Sequence, residues 1–233
     1  MEALILAGGL GKRLKPLTDN IPKPMIRVAG HPIIEHQISW LRRQGVTKII
    51  VCAGYRSNVI VDYLGDGRDL GVSIKYSIET NPLGTGGALK RAKKLVNGEE
   101  FLFMYGDILT SLNPRGLISA LKERRKRNIV AAMAVVPLRV PFGIVEIKRD
   151  LASSFKEKPI LKQYWMNAGV FCFSSNIFDM LPGQGSLESV TLVGLASKKS
   201  IRTVKYPDSL WRSIDSHKDI DEAEKEFADI HLG

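Results

Sequence analysis

The sequence predicts an α/β fold, a doubly wound sandwich of three layers around a mixed, mainly parallel sheet. Three observations carry this expectation. Apolar runs rich in β-branched residues recur along the chain, and they alternate with stretches of helical periodicity. No internal repeat, low-complexity tract or Ser/Gly-rich linker divides the 233 residues, so one Rossmann-like domain spanning 1–233 is expected.

The strand-like runs fall at residues 3–7, 48–53, 72–78, 101–105, 129–136 and 168–173. Helical periodicity marks residues 32–44, 58–64, 87–96, 114–126, 187–198 and 218–230, with Gly45 and Gly65 as stop signals. Two shorter alternating segments, 142–148 and 154–158, flank the Arg149-Asp150 turn and read as antiparallel strands added to the same sheet. The stretch LPGQGS at 181–186 reads as a surface loop. In open sheets of this kind ligands collect at the carboxyl ends of the strands, so the residues just after each strand are where chemistry is expected.

Composition bounds the function. The chain is 44% hydrophobic and 25% charged, and at this length about 70% of the unfolded surface is buried, enough for a core without disulfides or metals. Cys52 and Cys172 lie inside strand-like runs and read as small buried hydrophobes. No apolar run approaches the ~18 to 20 residues of a membrane span, and the N-terminal apolar stretch is too short for a signal peptide. A cytoplasmic protein without a membrane partner is therefore expected. Thirty-four Lys and Arg against twenty-four Asp and Glu give a net charge of +10, which favours anionic partners. The densest basic run, KERRKR at 122–127, sits at the end of a helix where cations suit the dipole and face solvent. It has no aromatic platform, so no nucleic-acid partner is expected.

The first strand runs into Leu6-Ala7-Gly8-Gly9-Leu10-Gly11-Lys12-Arg13, followed by Pro22-Lys23-Pro24. Glycines let backbone N–H groups approach phosphate oxygens, and the two cations offset charge the amides cannot. A Walker A loop would need glycine at Leu6 and Ser or Thr at Arg13, and the dinucleotide pattern G-x-G-x-x-G fails at Leu14. Taken alone, the run is equally a tight turn with a solvated cation pair.

Residues 4–38, LILAGGLGKRLKPLTDNIPKPMIRVAGHPIIEHQI, resemble the signature of the sugar-1-phosphate nucleotidyltransferases, roughly L-A-G-G-x-G-T-R-L-x-P-L-T followed by P-K-P. Later segments keep the family order. PLGTGGA at 82–88 is similar to its P-L-G-T-A-G-A, Gly106-Asp107 to its metal-binding G-D, and Phe142-Gly143-Ile144-Val145 to its Y-G-V-V. Glu157-Lys158-Pro159 resembles its E-K-P and Asn167-Ala168-Gly169 its N-x-G. Within the family, PLGTGGAL after SIE is most similar to the guanylyltransferases for mannose or heptose 1-phosphate.

The resemblance implies magnesium-dependent attack by a sugar 1-phosphate oxygen on the α-phosphorus of a nucleoside triphosphate, with pyrophosphate leaving. Arg13 would clamp the triphosphate and Lys23 would stabilise the α-phosphate and its leaving group. The nucleotide would lie against Leu6, Ala7, Gly8, Gly9, Gly11, Lys12, Glu79, Pro82, Gly84 and Thr85. Lys158 would hold the sugar's phosphate and Glu157 its hydroxyls, with Asn167, Gly143 and Gly169 allowing close approach of the ring. Asp107, at the carboxyl end of a buried strand, would hold Mg2+. Glu79 stands where many guanylyl enzymes carry glutamate and many uridylyl or thymidylyl enzymes glutamine, which favours GTP. Uridylyl or thymidylyl transfer to another hexose, and a non-catalytic sugar-nucleotide-binding subunit, remain the alternatives. A homodimer is compatible with the sequence, and no left-handed β-helical tail is expected.

Three departures matter. Lys12 replaces a threonine or serine, and Tyr105 replaces the asparagine before Gly106-Asp107. The family's second metal-binding aspartate lies in W-x-D-I-G-T-P, whereas here the segment reads Trp211-Arg212-Ser213-Ile214-Asp215-Ser216-His217. Ser213 then falls at the metal position, and Asp215, two residues on, supplies the carboxylate if the strand continues. If Asp215 instead starts a loop or caps the last helix, the site lacks one of two charged ligands.

Overall fold

The computed structural model describes residues 1–122 and 128–228. A seven-stranded sheet forms its centre, built from β1 (Glu2–Ala7), β4 (Lys48–Ala53), β5 (Ser73–Ile78), β6 (Glu100–Tyr105), β8 (Ala131–Arg139), β11 (Ile160–Ser174) and β12 (Ile201–Lys205). Their spatial order is β12-β8-β11-β6-β1-β4-β5. Strand β11 alone runs against its neighbours β6 and β8, and every other pairing is parallel. Helices α1 (Ile33–Arg43), α2 (Ser57–Leu64) and α4 (Arg115–Lys122) cover one face, and α3 (Gly84–Arg91) and α5 (Val193–Ser197) the other. The expected three-layer, doubly wound sandwich is therefore the observed one.

Side-chain alternation explains the layering. In β1, Ala3, Ile5 and Ala7 face the core under α1 and α2, while Leu4 faces the opposite core with Phe101, Phe103, Phe171 and Phe173. Strands buried on both faces read as continuous apolar runs, which is why their positions are legible in the sequence. Cys52 and Cys172 are both buried thiols, and burial pushes the Cys52 thiol up to about 12. No helix among the described residues is long and apolar enough to cross a membrane.

The short segments differ from expectation. Strands β9 (Ile144–Lys148) and β10 (Leu151–Lys156) form a separate two-stranded hairpin rather than joining the central sheet. Among the described residues Ile147, Leu151 and Phe155 stand 65 to 71% exposed, so period-two alternation here marks an exposed ribbon. The antiparallel strand of the sheet is instead β11, whose first half extends past the core and becomes buried only at Ala168. The edge strand β12 falls outside the expected strands because its residues are only half-buried. Helix α3 begins at Gly84, three residues before the expected start. Residues 187–198 divide into a π-helical turn, Leu187–Leu192, and α5. Residues 123–127, with most of the basic run, and the end of the expected last helix lie outside the described residues.

A third, smaller core lies at the sheet's carboxyl edge. The short strands β2 (Arg27–Val28), β3 (His31–Pro32), β7 (Ile108–Thr110) and β13 (Trp211–Ser213) and helix α6 (His217–Phe227) pack there through Leu14, Ile26, Val28, Ile33, Leu109, Ile214, Ala223 and Phe227. His36 supports this corner, its Nε2 donating to the buried carbonyl of Val28 at 2.7 Å. Burial, foremost, holds the His36 pKa below its ordinary value. A depressed folded pKa means the unfolded chain takes up the proton first, so the contribution to stability is complete above about pH 6.5 and is lost as pH falls through the folded pKa. Denaturant unfolding at a series of pH values below about 7 is expected to show this decline, and His36→Gln, which keeps a donor, to flatten it.

Candidate active site

Parallel pairing sets Ala7, Ala53 and Ile78 side by side, with Leu6 beside Tyr105, so β1, β4, β5 and β6 all open their following loops at one edge. The first three of these loops surround a cavity of about 620 Å³. It is lined by Leu6, Gly8, Gly9, Leu10, Gly11 and Lys12 from the first loop, Gly54 and Tyr55 from the second, and Glu79, Thr80, Asn81, Pro82, Gly84, Thr85 and Ala88 from the third and the start of α3. Thus all the expected nucleotide-side residues except Ala7 line one cavity. Ala7 packs instead into the core.

The first loop is held from beneath. Gly11 has φ +59°, and the Thr18 hydroxyl donates to its carbonyl at 2.9 Å. A Cβ there would lie 2.8 Å from Thr18 Cγ2. Glu79 stands behind Gly8 and Gly54, where added Cβ atoms would lie 2.8 and 2.7 Å from its Oε1. Its Oε2 accepts from the Leu83 backbone N–H at 3.1 Å. One carboxylate oxygen therefore fixes the third loop, and among the described residues no hydrogen-bond donor reaches the other.

Part of the amino end of α3 is capped by the chain itself. Gly86 N–H donates to the Gly185 carbonyl at 2.9 Å and Gly185 N–H returns to Leu83 at 2.8 Å. The 181–186 segment is the expected surface loop, with Gly183 and Gln184 exposed, and it also caps α3, which accounts for the helix's early start. Gly84 has φ +74°, and a Cβ on it would lie 2.5 Å from the Gly185 carbonyl oxygen. Gly84→Ala is expected to lower stability by about 2 to 3 kcal/mol, from left-handed strain plus displacement of residues 183–185. Urea unfolding measures it.

Beside the cavity, charge converges. Lys23 Nζ donates to Asp107 Oδ2 at 2.6 Å and to Asp215 Oδ1 at 2.8 Å, and Arg13 Nη2 reaches the same Asp215 oxygen at 2.6 Å. Lys23 is 12% exposed and Arg13 76%, so the lysine is fixed and the arginine projects outward. Each residue's placement has a local cause. Pro22 and Pro24 restrict Lys23, and Pro24 packs against Gly106. Gly106 N–H donates to Leu6 at 2.9 Å, and buried Gln37 donates to both Tyr105 and Ile108 carbonyls at 2.8 Å, clamping the turn that carries Asp107.

Asp215 is placed by a loop rather than by the continued strand. Strand β13 ends at Ser213, so Asp215 lies in a loop, and the cap of α6 is Ser216, in a capping box with Asp219. Its carboxylate nevertheless reaches the cluster, because β13 pairs with β7 and Ile214 N–H donates to the Asp107 carbonyl at 2.9 Å. Ser213 acts through it, its hydroxyl donating to Asp215 Oδ2 at 2.8 Å. Behind, Arg212 grips α6 through Glu226 at 2.9 and 2.7 Å and Glu222 at 2.5 Å. Burial would raise the Asp215 pKa, but the bonds and charges of Lys23, Ser213 and Arg13 outweigh it and hold the carboxyl below its ordinary range. Both carboxylates already face a shared cation.

The sugar-side residues assemble less completely. Strands β8 and β11 both run past the core at this same edge, and the hairpin between them carries Gly143, Glu157 and Lys158. Lys158 pairs with Glu157 at 3.0 Å, both exposed, rather than with the central charges. The space at Gly143 is filled by the Phe155 ring. Asn167 Oδ1 accepts from Gly169 N–H at 2.9 Å, and a Cβ on Gly169 would lie 2.6 Å from the Tyr105 ring. Residues missed by sequence reasoning are Tyr55, whose hydroxyl donates to the carbonyls of Thr18 at 3.2 Å and Asp19 at 2.9 Å beside the cavity, and Glu188. Glu188 lies in the predicted helix, and no motif marks it.

Among the described residues no group of three or more His, Cys, Asp or Glu side chains is arranged to hold a metal. Two carboxylates sharing one cation do suit a divalent ion such as magnesium, which commonly takes one or two carboxylates and completes its shell with water and substrate phosphates. Opposed cations and carboxylates at the mouth of a glycine-looped cavity, on the carboxyl edge of a parallel sheet, define the class: an α/β enzyme of phosphate-group transfer.

Comparison with known proteins narrows the class. The profile of the family described as nucleotidyl transferase matches residues 2–229. A D-glycero-alpha-D-manno-heptose 1-phosphate guanylyltransferase of Campylobacter jejuni is 37% identical over 180 residues, 77% of this chain and 78% of that protein. Mannose-1-phosphate guanyltransferase 2 of Candida glabrata is 33% identical over 228 residues; the match takes in 94% of this chain but only 62% of that protein's length. Among solved structures, HddC from Yersinia pseudotuberculosis superposes with a TM-score of 0.74 at 27% identity, covering 97% of this chain and 99% of that one. A Bacillus anthracis protein described as a glucose-1-phosphate thymidylyltransferase, at TM-score 0.80 and 23% identity, covers 100% and 97% and shares the fold. The chain belongs to the sugar-1-phosphate nucleotidyltransferase family and is an enzyme.

Proposed function

We propose that this enzyme transfers guanylate from GTP to a manno-configured sugar 1-phosphate, mannose or heptose, in a magnesium-dependent reaction that yields a GDP-sugar and pyrophosphate. The observation that carries the reading is the Lys23 ammonium held between Asp107 and Asp215 at the edge of the glycine-lined cavity. The nucleotide's orientation follows from the cavity's two ends. At α3 the Gly86 and Gly87 amides are engaged by Gly185, which suits that end to a base; at Gly9 to Arg13 the glycine loop and its cations suit the triphosphate.

A phosphate oxygen of the sugar attacks the α-phosphorus, a new P–O bond forms, and the bond to the β-phosphate oxygen breaks as pyrophosphate departs. No protein nucleophile is needed. Lys23 neutralises charge on the α-phosphate, and Arg13, projecting outward, follows the β- and γ-phosphates as they leave. Asp107 and Asp215 would hold the magnesium, whose charge would stabilise the phosphoryl oxygens. Lys158 and Glu157 are close enough to each other to receive the sugar's phosphate and hydroxyls together on the exposed hairpin. The names of the guanylyltransferase relatives support both the base and the sugar.

For the base, Glu79 offers the carboxylate oxygen that no donor among the described residues reaches, suited to accept from guanine N1 or N2. Glu79→Gln is expected to lower kcat/KM for GTP by about tenfold while raising the relative use of dTTP or UTP. A matrix of the four ribonucleoside triphosphates and dTTP against glucose, mannose, galactose, N-acetylglucosamine and heptose 1-phosphates, read by pyrophosphate release, tests base and sugar together. Highest turnover with a pyrimidine nucleotide would overturn the guanylyl assignment.

A further inference from the structure

Thr85 lines the cavity, yet its hydroxyl is turned away from it. It donates to Glu188 Oε2 at 2.7 Å and accepts from Leu187 N–H at 2.8 Å. The same Glu188 oxygen accepts from Ser186 Oγ at 2.6 Å, and its other oxygen accepts from the Tyr105 hydroxyl. Burial alone would raise the Glu188 pKa, but three hydroxyl donors outweigh it and keep the carboxylate charged. Burial and the bond to Glu188 push the Tyr105 phenol upward, so it remains a donor.

This carboxylate joins elements that carry opposite sides of the site. Thr85 belongs to the cavity wall at the start of α3. Tyr105 ends β6, two residues before Asp107, and its ring packs where a side chain on Gly169 would stand. Ser186 belongs to the segment that caps α3. Half-buried, with every oxygen engaged by protein, Glu188 touches neither solvent-facing cation of the site nor the open cavity. Its chemistry is that of a strut.

We propose that Glu188 is a positioning residue for the nucleotide: through Thr85 and Tyr105 it fixes the α3 wall of the cavity to the strand bearing Asp107. The proposal rests on the nucleotide reading of the cavity given above. A fixed wall lowers the ordering required when the base enters, so loss of the strut weakens triphosphate binding more than it slows the chemical step. Tyr105, which departs from the family's asparagine at this position, is the donor that ties the strut to β6.

The test is calorimetric titration of wild type, Glu188→Gln, Thr85→Val and Thr85→Ser with magnesium and GTP in the absence of sugar phosphate, followed by steady-state kinetics. Glu188→Gln is expected to raise the Kd and KM for GTP about tenfold, with kcat changed less than about threefold and the KM for the sugar phosphate unchanged. Thr85→Val should reproduce part of this loss, Thr85→Ser should restore wild-type affinity, and the Glu188→Gln/Thr85→Val double variant should be no worse than Glu188→Gln alone. A Glu188→Gln protein that melts earlier but binds GTP as tightly as wild type overturns the proposal, as do fully additive effects. If Glu188→Gln does not fold, Ser186→Ala and Thr85→Val carry the comparison with the same expected direction. Wild type that binds GTP but turns over no substrate pair refutes the assigned reaction, and the Kd values still decide the strut. Wild type that binds no nucleoside triphosphate overturns both.

Discussion

Replacing Lys23 by methionine is expected to lower kcat by about a thousandfold while changing the KM for GTP by less than about tenfold. Methionine keeps the length and packing of the side chain between Pro22 and Pro24 but removes the charge that touches both carboxylates. In the reaction that charge is required most when the α-phosphorus carries the extra bond, so the loss falls on kcat. A second consequence follows from the same geometry. Without the ammonium, Asp107 loses the Lys23 charge while Asp215 keeps the exposed Arg13, and the variant should bind Mn2+, a spectroscopic stand-in for magnesium, more tightly than wild type. Steady-state kinetics with paramagnetic resonance of free Mn2+ measure both effects. A kcat within tenfold of wild type would remove Lys23 from the chemical step.

The second large effect concerns the carboxylates. Asp107→Asn and Asp215→Asn are each expected to reduce kcat by about a hundredfold or more and to raise the metal concentration needed for half-maximal rate. Ser213→Ala should reduce the rate only about two- to fivefold, since Ser213 acts through one hydrogen bond to Asp215. The comparison separates the two candidates for the second metal position. If Ser213→Ala lost metal response while Asp215→Asn kept it, the assignment of Asp215 would be wrong. The short distances from Asp215 to Lys23 and Arg13, 2.8 and 2.6 Å, and the donation from Ser213 argue for the aspartate.

The sequence carried the central sheet because β1, β4, β6 and most of β8 are buried on both faces, and double burial requires uninterrupted apolar runs. It misplaced the 142–158 hairpin because period-two alternation records strand geometry and not what covers the strand; with Ile147 and Phe155 open to solvent, the pattern reads the same on a free ribbon as on a sheet edge. Strand β12 went unread for the converse reason, its half-buried residues Ile201–Lys205 showing no clear run.

The site divides in the same way. Gly8 to Arg13, Lys23, Glu79 and Asp107 were legible because each stands just after a parallel strand or in a motif that follows one. Asp215 was ambiguous because its reach depends on β13 pairing with β7, a contact between residues about a hundred positions apart. Glu188 was not legible at all. A glutamate within helical periodicity looks like a solvated face, and only the fold brings Thr85, Ser186 and Tyr105 to it.

The most direct measurement is anomalous diffraction from a crystal of the enzyme grown with Mn2+ and a non-hydrolysable GTP analogue. The account requires the manganese signal to lie between the Asp107 and Asp215 carboxylates, with the analogue's phosphates along Gly9 to Arg13 and its base toward Glu79. Manganese bound away from either aspartate, or phosphates seated at the start of α3, would contradict it.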